Sequence, residues 1–242
     1  MYPGLIYIPA LLLLLSCNYR NRQQESGLTA QDSISATLIK PDKLTFLPLL
    51  SAKEQFKKLL SLESNNKYLL ISEIKEGAEC LSMFDENCTY LGLRLVTYEQ
   101  EIVSELAYYY IADFGSTTIS IDSTNTLSIQ QYYKASGYSK VEEVGFYKLI
   151  DNQYILSKAD VTVRTQVGPD YQFSQNEWAY KINLYEGDYS LTTTEHRLDS
   201  TNNLSTAEKF REGKLQSQPI IEPRHTINLE ELLGEENIPH FY

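Results

Sequence analysis

Histidine and cysteine are the residues of this chain best suited to bind a metal or to act as nucleophiles, and both are rare. The three histidines are His196, His225 and His240, and none lies within four residues of another histidine or of a cysteine. Zinc sites usually take a pair of such ligands from one short stretch of sequence. We therefore expect surface histidines and no metal site.

The acidic residues occur as adjacent pairs, which is not a spacing that favours catalysis. These pairs are Asp85/Glu86, Glu142/Glu143, Glu230/Glu231 and Glu235/Glu236. Adjacent side chains of a strand face opposite sides of the sheet, so such a pair does not converge on a substrate. The sequence also lacks the motifs of serine nucleophiles, phosphate-binding loops and calcium loops. It predicts solvated carboxylates, no catalytic residue, no metal and no cofactor.

An apolar segment near the start of the chain ends at the first cysteine. Residues 5–16 are mostly apolar, too short a run to cross a membrane as a helix but typical of the hydrophobic region of a signal peptide. The run ends in Leu14-Leu15-Ser16-Cys17, which resembles the lipobox of bacterial lipoproteins. Residues 1–9 depart from the usual pattern because they contain no lysine or arginine. An ordinary cleaved signal peptide followed by an incidental cysteine is the alternative.

The resemblance implies that the signal peptide, residues 1–16, is removed and that Cys17 carries the lipid. Two or three acyl chains bind a membrane firmly, because each buried methylene contributes about 0.8 kcal/mol. The chain would then be lipid-anchored in the bacterial cell envelope, at the periplasmic face or the cell surface of the outer membrane. Polar residues dominate 17–45, which predicts a flexible tether. Within it, Asp32-Ser33-Ile34 resembles the O-glycosylation acceptor site of the Bacteroidota, with Ser33 as the modified residue.

Lipidation of Cys17 would leave Cys80 and Cys88 as the remaining cysteines. An even number in an oxidising periplasm favours a disulfide between them. So short a loop would stabilise the fold by about 2.5 kcal/mol in the chain-entropy model. Two free thiols are the alternative, and no second cysteine or histidine pair lies close enough in sequence to suggest a metal site.

Composition limits the class of protein and its partners. The chain has 242 residues, of which 42% are hydrophobic and 22% charged, as in ordinary globular proteins. We expect a single domain over residues 46–242 with an extended C-terminal tail. The net charge is −11, and no lysine or arginine cluster follows Arg20 and Arg22. Nucleic acid is therefore not an expected partner, since phosphate binding needs concentrated positive charge.

The spacing of apolar residues predicts a mainly β domain. Strand-like segments recur every 10–14 residues with short turns between them. They lie at 68–74, 89–98, 99–114, 117–122, 127–131, 144–148, 154–163, 178–184 and 189–193. For 99–114 a helix fits equally well, and the run of tyrosines at 108–110 favours the strand. The regular spacing of these segments predicts an antiparallel meander that forms a sandwich or a barrel.

Helices are expected only at the two ends of the domain. Ser51 and Glu54 fit a capping box, and the apolar residues that follow as far as Leu62 repeat at helical spacing. They predict a short N-terminal helix of about three turns. Residues 206–214 are interpreted as a short helix around Phe210. Residues 228–234 are interpreted as one or two helical turns that stop at a glycine.

Aromatic composition is biased, with nineteen tyrosines and one tryptophan. Tyrosine is favoured in strands and at half-exposed surfaces, where the ring is buried and the hydroxyl stays hydrated. Such rings are also common on faces that bind sugars or proteins. Trp178 would stack on a sugar from an exposed face, but its alternation with Tyr180, Ile182 and Leu184 favours the core.

These features together predict a lipid-anchored envelope protein with a non-catalytic, β-rich body that binds a protein or carbohydrate partner. A lipocalin-like carrier of a small hydrophobic ligand is one alternative, which requires an apolar lumen lined by inward tyrosines and leucines. A hydrolase with dispersed carboxylates is the other, which requires two carboxylates facing each other across one cleft.

Overall fold

The structure is a computed structural model that describes residues 41–63, 66–74, 89–113, 116–134, 139–166, 174–198, 203–223 and 227–238. Residues 40–242 group into one compact unit by their contacts. Cys17, Ser33, Cys80 and Cys88 lie outside the described residues, so the lipidation, the glycosylation and the disulfide stay predictions.

Two antiparallel sheets form the body of this unit. The smaller contains β1 Glu54–Ser61, β2 Lys67–Ile74, β3 Thr89–Glu99 and β4 Ile102–Asp113, in that spatial order. The larger contains β5 Thr118–Ile121, β6 Leu127–Lys134, β7 Lys140–Ile150, β8 Gln153–Gln166, β9 Ser174–Asn183, β10 Asp188–Leu198 and β11 Leu204–Lys214, also in chain order. Within each sheet every strand pairs with its neighbours in sequence, which confirms the predicted meander, including the strand across the ambiguous segment 99–114.

The two sheets share one hydrophobic core and form a sandwich, not a closed barrel. Leucines at 91, 93 and 95 of β3 belong to the same buried cluster as Leu127 of β6 and Val161 of β8. A polar bond crosses this interface where the backbone N–H of Tyr154 donates to the hydroxyl of Tyr109 at 2.7 Å. Period-two alternation thus directs one face of each sheet into a common interior.

The predicted N-terminal helix over Ser51–Leu62 is wrong, because this segment forms β1. A bulge between Phe56 and Lys58 shifts the alternation by one residue. As a result Phe56 and Leu59 pack on the outer side of the sheet, while Leu60 packs on the inner core. Apolar residues spaced by three and four on a bulged strand with both faces covered therefore resemble a helical stripe. The short N-terminal helix is α1, Lys43–Phe46, followed by a 3₁₀ turn at Leu47–Leu49.

The predicted helix around Phe210 is also wrong, because residues 204–214 form the edge strand β11. The whole strand pairs with β10 without interruption, from Asp188 opposite Lys214 to Leu198 opposite Leu204. At this edge the side chains of β11 are exposed on both faces. Alternation between apolar and polar residues is absent there because neither face is covered by protein.

The C-terminal segment returns to the sandwich and completes its core. Its backbone is bound to the large sheet by the N–H of Leu156, which donates to the carbonyl of Ile221 at 2.7 Å. Helix α2, Leu229–Leu233, buries Leu232 and Leu233 in the shared core and ends at Gly234, as predicted. A 3₁₀ turn at Glu235–Asn237 follows.

Candidate functional site

The outer face of the small sheet carries an unusual set of side chains. Gly92 lies opposite Tyr110 and Arg94 lies opposite Tyr108 in the pairing of β3 with β4. Alternate residues of a strand share a face, so the side chains of Arg94, Tyr108 and Tyr110 point away from the core that contains Leu93. We call the following set the tyrosine face: Tyr90, Arg94, Tyr108 and Tyr110, with the carboxylates of Glu54 and Glu105.

Helix α1 covers another part of the same outer surface. Phe46 is fully buried there and packs with Tyr68, Leu70 and Val96 in a second, smaller hydrophobic cluster. The tyrosine face therefore lies beside a covered region of the sheet, and two of its rings, those of Tyr108 and Tyr110, stay accessible.

Arg94 is the centre of an ion network within the tyrosine face. Its guanidinium donates to the Oε2 atom of Glu54 at 2.7 Å and to the Oε2 atom of Glu105 at 2.6 Å. Only 12% of the Arg94 side chain and 3% of the Glu54 side chain are exposed, whereas 37% of the Glu105 side chain is exposed. The network thus extends from a buried carboxylate to an accessible one.

Further hydrogen bonds hold the buried carboxylate of Glu54. It accepts from the backbone N–H of Ser51 at 2.9 Å and from the hydroxyl of Ser72 at 2.8 Å. Burial favours the neutral form of this group, but these bonds and the one from Arg94 outweigh it and lower the pKa of Glu54. The Ser51–Glu54 pair that suggested a helix cap therefore does form a reciprocal contact, but in the turn that begins β1.

The aromatic rings of the face are supported from below. The guanidinium carbon of Arg94 lies 4.1 Å from the centroid of the Tyr108 ring, a cation–π contact. Tyr90 and Tyr110 stack with their centroids 4.5 Å apart and their planes 13° from parallel. Tyr108 and Tyr110 are each 40% exposed, whereas Tyr90 is 4% exposed. Two accessible rings are thus fixed in orientation by partners that are mostly buried.

Gly92 is required for this arrangement. A Cβ atom at that position would lie 2.6 Å from the Ser72 hydroxyl oxygen, 2.9 Å from a Glu54 carboxylate oxygen and 3.0 Å from the Tyr108 hydroxyl oxygen. Any larger residue would displace the groups that hold the ion network and one of the exposed rings. Sequence reasoning missed the site, although tyrosines at 108 and 110 with an arginine on a neighbouring strand were visible as a pattern.

Trp178 lies on the core side of β9, as its alternation predicted, and is partly buried against the main cluster. Its ring also lines a groove of about 300 Å³ between the large sheet and the C-terminal segment, with Lys209, Arg211 and Asn237 among the other lining residues. Trp178 is therefore a core contact that also lines an open groove. Stacking of Trp178 on a ligand stays a prediction.

The outer side of the large sheet carries a wider groove of about 860 Å³. Charged side chains of both signs line it: Lys158, Asp160, Lys181, Asp188, Glu212 and Lys214. Lys214 and Asp188 approach to 3.7 Å, and both are well exposed. The mixed charges on an open surface correspond to the solvated polar face that alternation predicts for the outside of a sheet.

Glu142 and Glu143 face opposite sides of β7, as expected for neighbours in a strand, but only one of them is solvated. Glu142 lies outside, 3.5 Å from Arg164. Glu143 is 4% exposed inside the sandwich and accepts hydrogen bonds from the hydroxyl of Tyr133 and the N–H of Ile227, each at 3.2 Å. Burial raises the pKa of Glu143 to about 7. The prediction of a solvated carboxylate is wrong for this residue.

The prediction that the chain has no metal site was based on histidines that are far apart in the sequence. His196 contacts the hydroxyl of Thr206 on β11 at 3.1 Å, while His225 and His240 lie outside the described residues. Within the part of the chain that the structure describes, no group of three or more histidine, cysteine or acidic residues is arranged to hold a metal ion. The same residues contain no helix of the length and apolarity needed to span a membrane.

A scan against models of protein families matched none, and searches of curated proteins and of solved structures found no similar chain. The geometry of the described residues is therefore the basis for assigning a function.

Proposed function

We propose that this chain is a lipid-anchored protein of the bacterial envelope whose β-sandwich binds a protein or carbohydrate partner through the tyrosine face. The observation that carries the proposal is the pair of exposed rings, Tyr108 and Tyr110, held in place by Arg94 and Tyr90. Tyrosine and arginine are enriched where binding energy is concentrated, because they combine a large apolar area with hydrogen-bonding groups.

Preorganisation supports binding at this face. A side chain that is already fixed loses little conformational entropy when a partner arrives, and this cost is about 0.5–1.5 kcal/mol for each flexible side chain. Tyr108 and Tyr110 are restrained by contacts on their buried sides, and burial raises the pKa of both hydroxyls. The neutral hydroxyl of Tyr108 can donate and accept a hydrogen bond, and the exposed carboxylate of Glu105 offers a further acceptor.

The two alternative functions have less support from the described residues. A carrier needs an apolar lumen, whereas the inward tyrosines and leucines of the two sheets pack against one another in a shared core. A hydrolase needs two carboxylates free to act across a cleft, whereas Glu54 and Glu105 are both bound to Arg94. Surface recognition is the function that uses the exposed rings.

The test compares Tyr108→Ala/Tyr110→Ala with the wild-type full-length chain as bait on solubilised native envelope and on an immobilised glycan array. Tyr132→Ala is the matched control, because Tyr132 is also 40% exposed but belongs to β6 of the other sheet. We expect one partner or glycan class to be retained by wild type and control and lost by the double variant. Equal retention by all three chains would contradict the tyrosine face as the binding surface.

Anchoring is tested separately by metabolic labelling with a palmitate analogue. The wild-type chain should incorporate the label, and Cys17→Ala should not. An unlabelled wild-type chain, or a label that survives the substitution, would contradict the lipid anchor and leave the tyrosine face to be judged on its own.

A further inference from the structure

We propose that β11 is a self-association edge, at which a second copy of this chain adds its own β11 in antiparallel orientation and extends the large sheet across both copies. This inference does not depend on the tyrosine face, which lies on the other sheet. It rests on the exposure of β11, on the regularity of its pairing and on the complementarity of its sequence with itself.

Strand β11 has the properties of an open edge. Among the described residues, β10 is the strand that pairs with it, and this pairing runs without a bulge over Leu204–Lys214. The outward N–H and C=O groups of a regular edge strand are a template for another strand. By contrast, β1 at the edge of the small sheet is interrupted by a bulge, and β5 at the other edge of the large sheet spans only Thr118–Ile121.

Strand β11 carries two large apolar side chains that are mostly exposed. Leu204 is 65% exposed and Phe210 is 64% exposed. They are separated by an even number of positions, so they lie on the same face of the strand. Both can therefore contribute to the same face of a sheet that a second strand extends.

One symmetric register satisfies both apolar residues. When Ala207 lies opposite Ala207 of a second copy, Phe210 of each chain lies opposite Leu204 of the other. Lys209 then faces Ser205, and Glu208 faces Thr206, so no like charges lie directly opposite. Aromatic–aliphatic pairs across strands stabilise a sheet by roughly 0.2–1 kcal/mol each, and like charges in opposition destabilise it.

Phe210 lies opposite Leu204 only in the register centred on Ala207; a pair centred on Thr206, for example, places Leu204 opposite Glu208 instead. A pair centred on Glu208 places two glutamates opposite each other, and a pair centred on Lys209 places two lysines opposite each other. Registers that differ by a single residue would set inward against outward side chains, which the pleat forbids. The sequence of β11 therefore selects the pair centred on Ala207, with a two-fold axis between the two alanines.

Cysteine crosslinking tests both association and register. Ala207→Cys should form an intermolecular disulfide when the full-length chain is oxidised in its native envelope, because directly opposed Cβ atoms lie within reach of a disulfide. Glu208→Cys is the register control, since its two copies would be offset by two residues in each direction and too far apart to bridge. Wild type supplies the background from the native cysteines. Equal crosslinking of both variants, or none above background, would overturn the proposed pairing.

Sedimentation of the full-length chain in density-matched detergent tests the apolar pairs. Phe210→Lys should weaken dimerisation at least tenfold. Ile102→Lys should not, although Ile102 is also 64% exposed and also lies in an edge strand, β4. A wild-type chain that stays monomeric at every concentration, or equal weakening by both substitutions, would contradict self-association through β11.

Discussion

The carboxylate of Glu143 accepts a hydrogen bond from the backbone N–H of Ile227 at 3.2 Å, although the two residues are 84 positions apart. This bond connects β7 to the segment that leads into α2, and the hydroxyl of Tyr133 donates to the same oxygen. A buried ionisable group thus contributes to the attachment of the C-terminal segment. Its ionisation is costly because the surroundings are largely apolar.

This carboxylate predicts that stability falls as pH rises. The pKa of Glu143 is about 7 in the folded chain, against an ordinary value of 4.5. Between pH 4.5 and about 7 the folded state keeps a proton on Glu143 that the unfolded state has released. The stabilisation that this proton provides is therefore fully present below pH 4.5 and is lost as the pH rises through about 7. The loss is on the order of 3 kcal/mol.

Glu143→Gln should remove this contribution, because the amide oxygen can accept both hydrogen bonds without ionising. We expect the variant to be more stable than wild type at about pH 8 and to differ less from it at about pH 5. Chemical denaturation at both pH values measures the difference, with Glu142→Gln, the partly exposed neighbour on the outer face, as control. Parallel pH profiles for wild type and Glu143→Gln would refute the assignment.

Arg94 and Arg164 form a natural comparison of buried and exposed ion networks. Each arginine lies in a strand and contacts two glutamates, but the Arg94 side chain is 12% exposed and the Arg164 side chain 36%. Arg94→Met leaves Glu54 buried without its charge partner and should reduce the free energy of unfolding by about 3 kcal/mol or more. Arg164→Met should cost less than about 1 kcal/mol. Urea denaturation of both variants measures the two losses of unfolding free energy. Equal losses would show that the Glu54 carboxylate is effectively solvated.

The turn between β3 and β4 is a position where the chain can be stabilised. Gln100 and Glu101 have φ angles of 50° and 67°, in the left-handed region that ordinary side chains disfavour. Replacing them together by Asn-Gly, the preferred pair for such a hairpin turn, should stabilise the fold by about 1 kcal/mol. Asp151→Asn, in the equivalent turn between β7 and β8, should change the stability little, because aspartate and asparagine both tolerate a positive φ. Thermal denaturation that shows no gain for Asn-Gly would contradict this.

The predicted disulfide is tested by counting thiols in the denatured protein without reductant. We expect neither Cys80 nor Cys88 to react with a thiol reagent, and both to react after reduction. The double variant Cys80→Ser/Cys88→Ser should lose about 2–3 kcal/mol of stability, since the cross-link restricts the unfolded chain. Two reactive thiols in the untreated protein would instead establish the alternative of free cysteines.

Local sequence patterns were sufficient to predict elements that have one buried face and one solvent-exposed face. Strands β2 to β10 were predicted, most of them from alternation, β2 from a short apolar run and the ambiguous β4 from its run of tyrosines, and the hairpin turn at Asp151-Asn152 was visible from its residue types. The C-terminal helix was recognisable from its glycine stop at Gly234. In β5 to β10 the periodicity reflects one buried face, which a sequence displays directly, whereas β2 and β3 also bury residues of their outer face under α1.

The same reasoning failed where burial does not follow that rule. Segment 54–61 is covered on both sides and bulged, so its apolar spacing resembled a helix. Segment 204–214 is covered on neither side, so apolar and polar residues do not alternate along it, and its pairing with β10 was not visible in the sequence. Pairing between strands uses backbone groups that every residue has, and the amino-acid types therefore do not report it.

By itself the sequence determined the β class, the meander order and the facing of alternate residues, because each follows from short-range periodicity. Only the tertiary structure decided that Glu143 is buried, that Arg94 joins Glu54 to Glu105 and that Tyr108 and Tyr110 form an accessible face. These relationships depend on which strands become neighbours and which faces are covered. Such contacts join residues far apart along the chain, and their free energies are set by the packing of the whole sandwich.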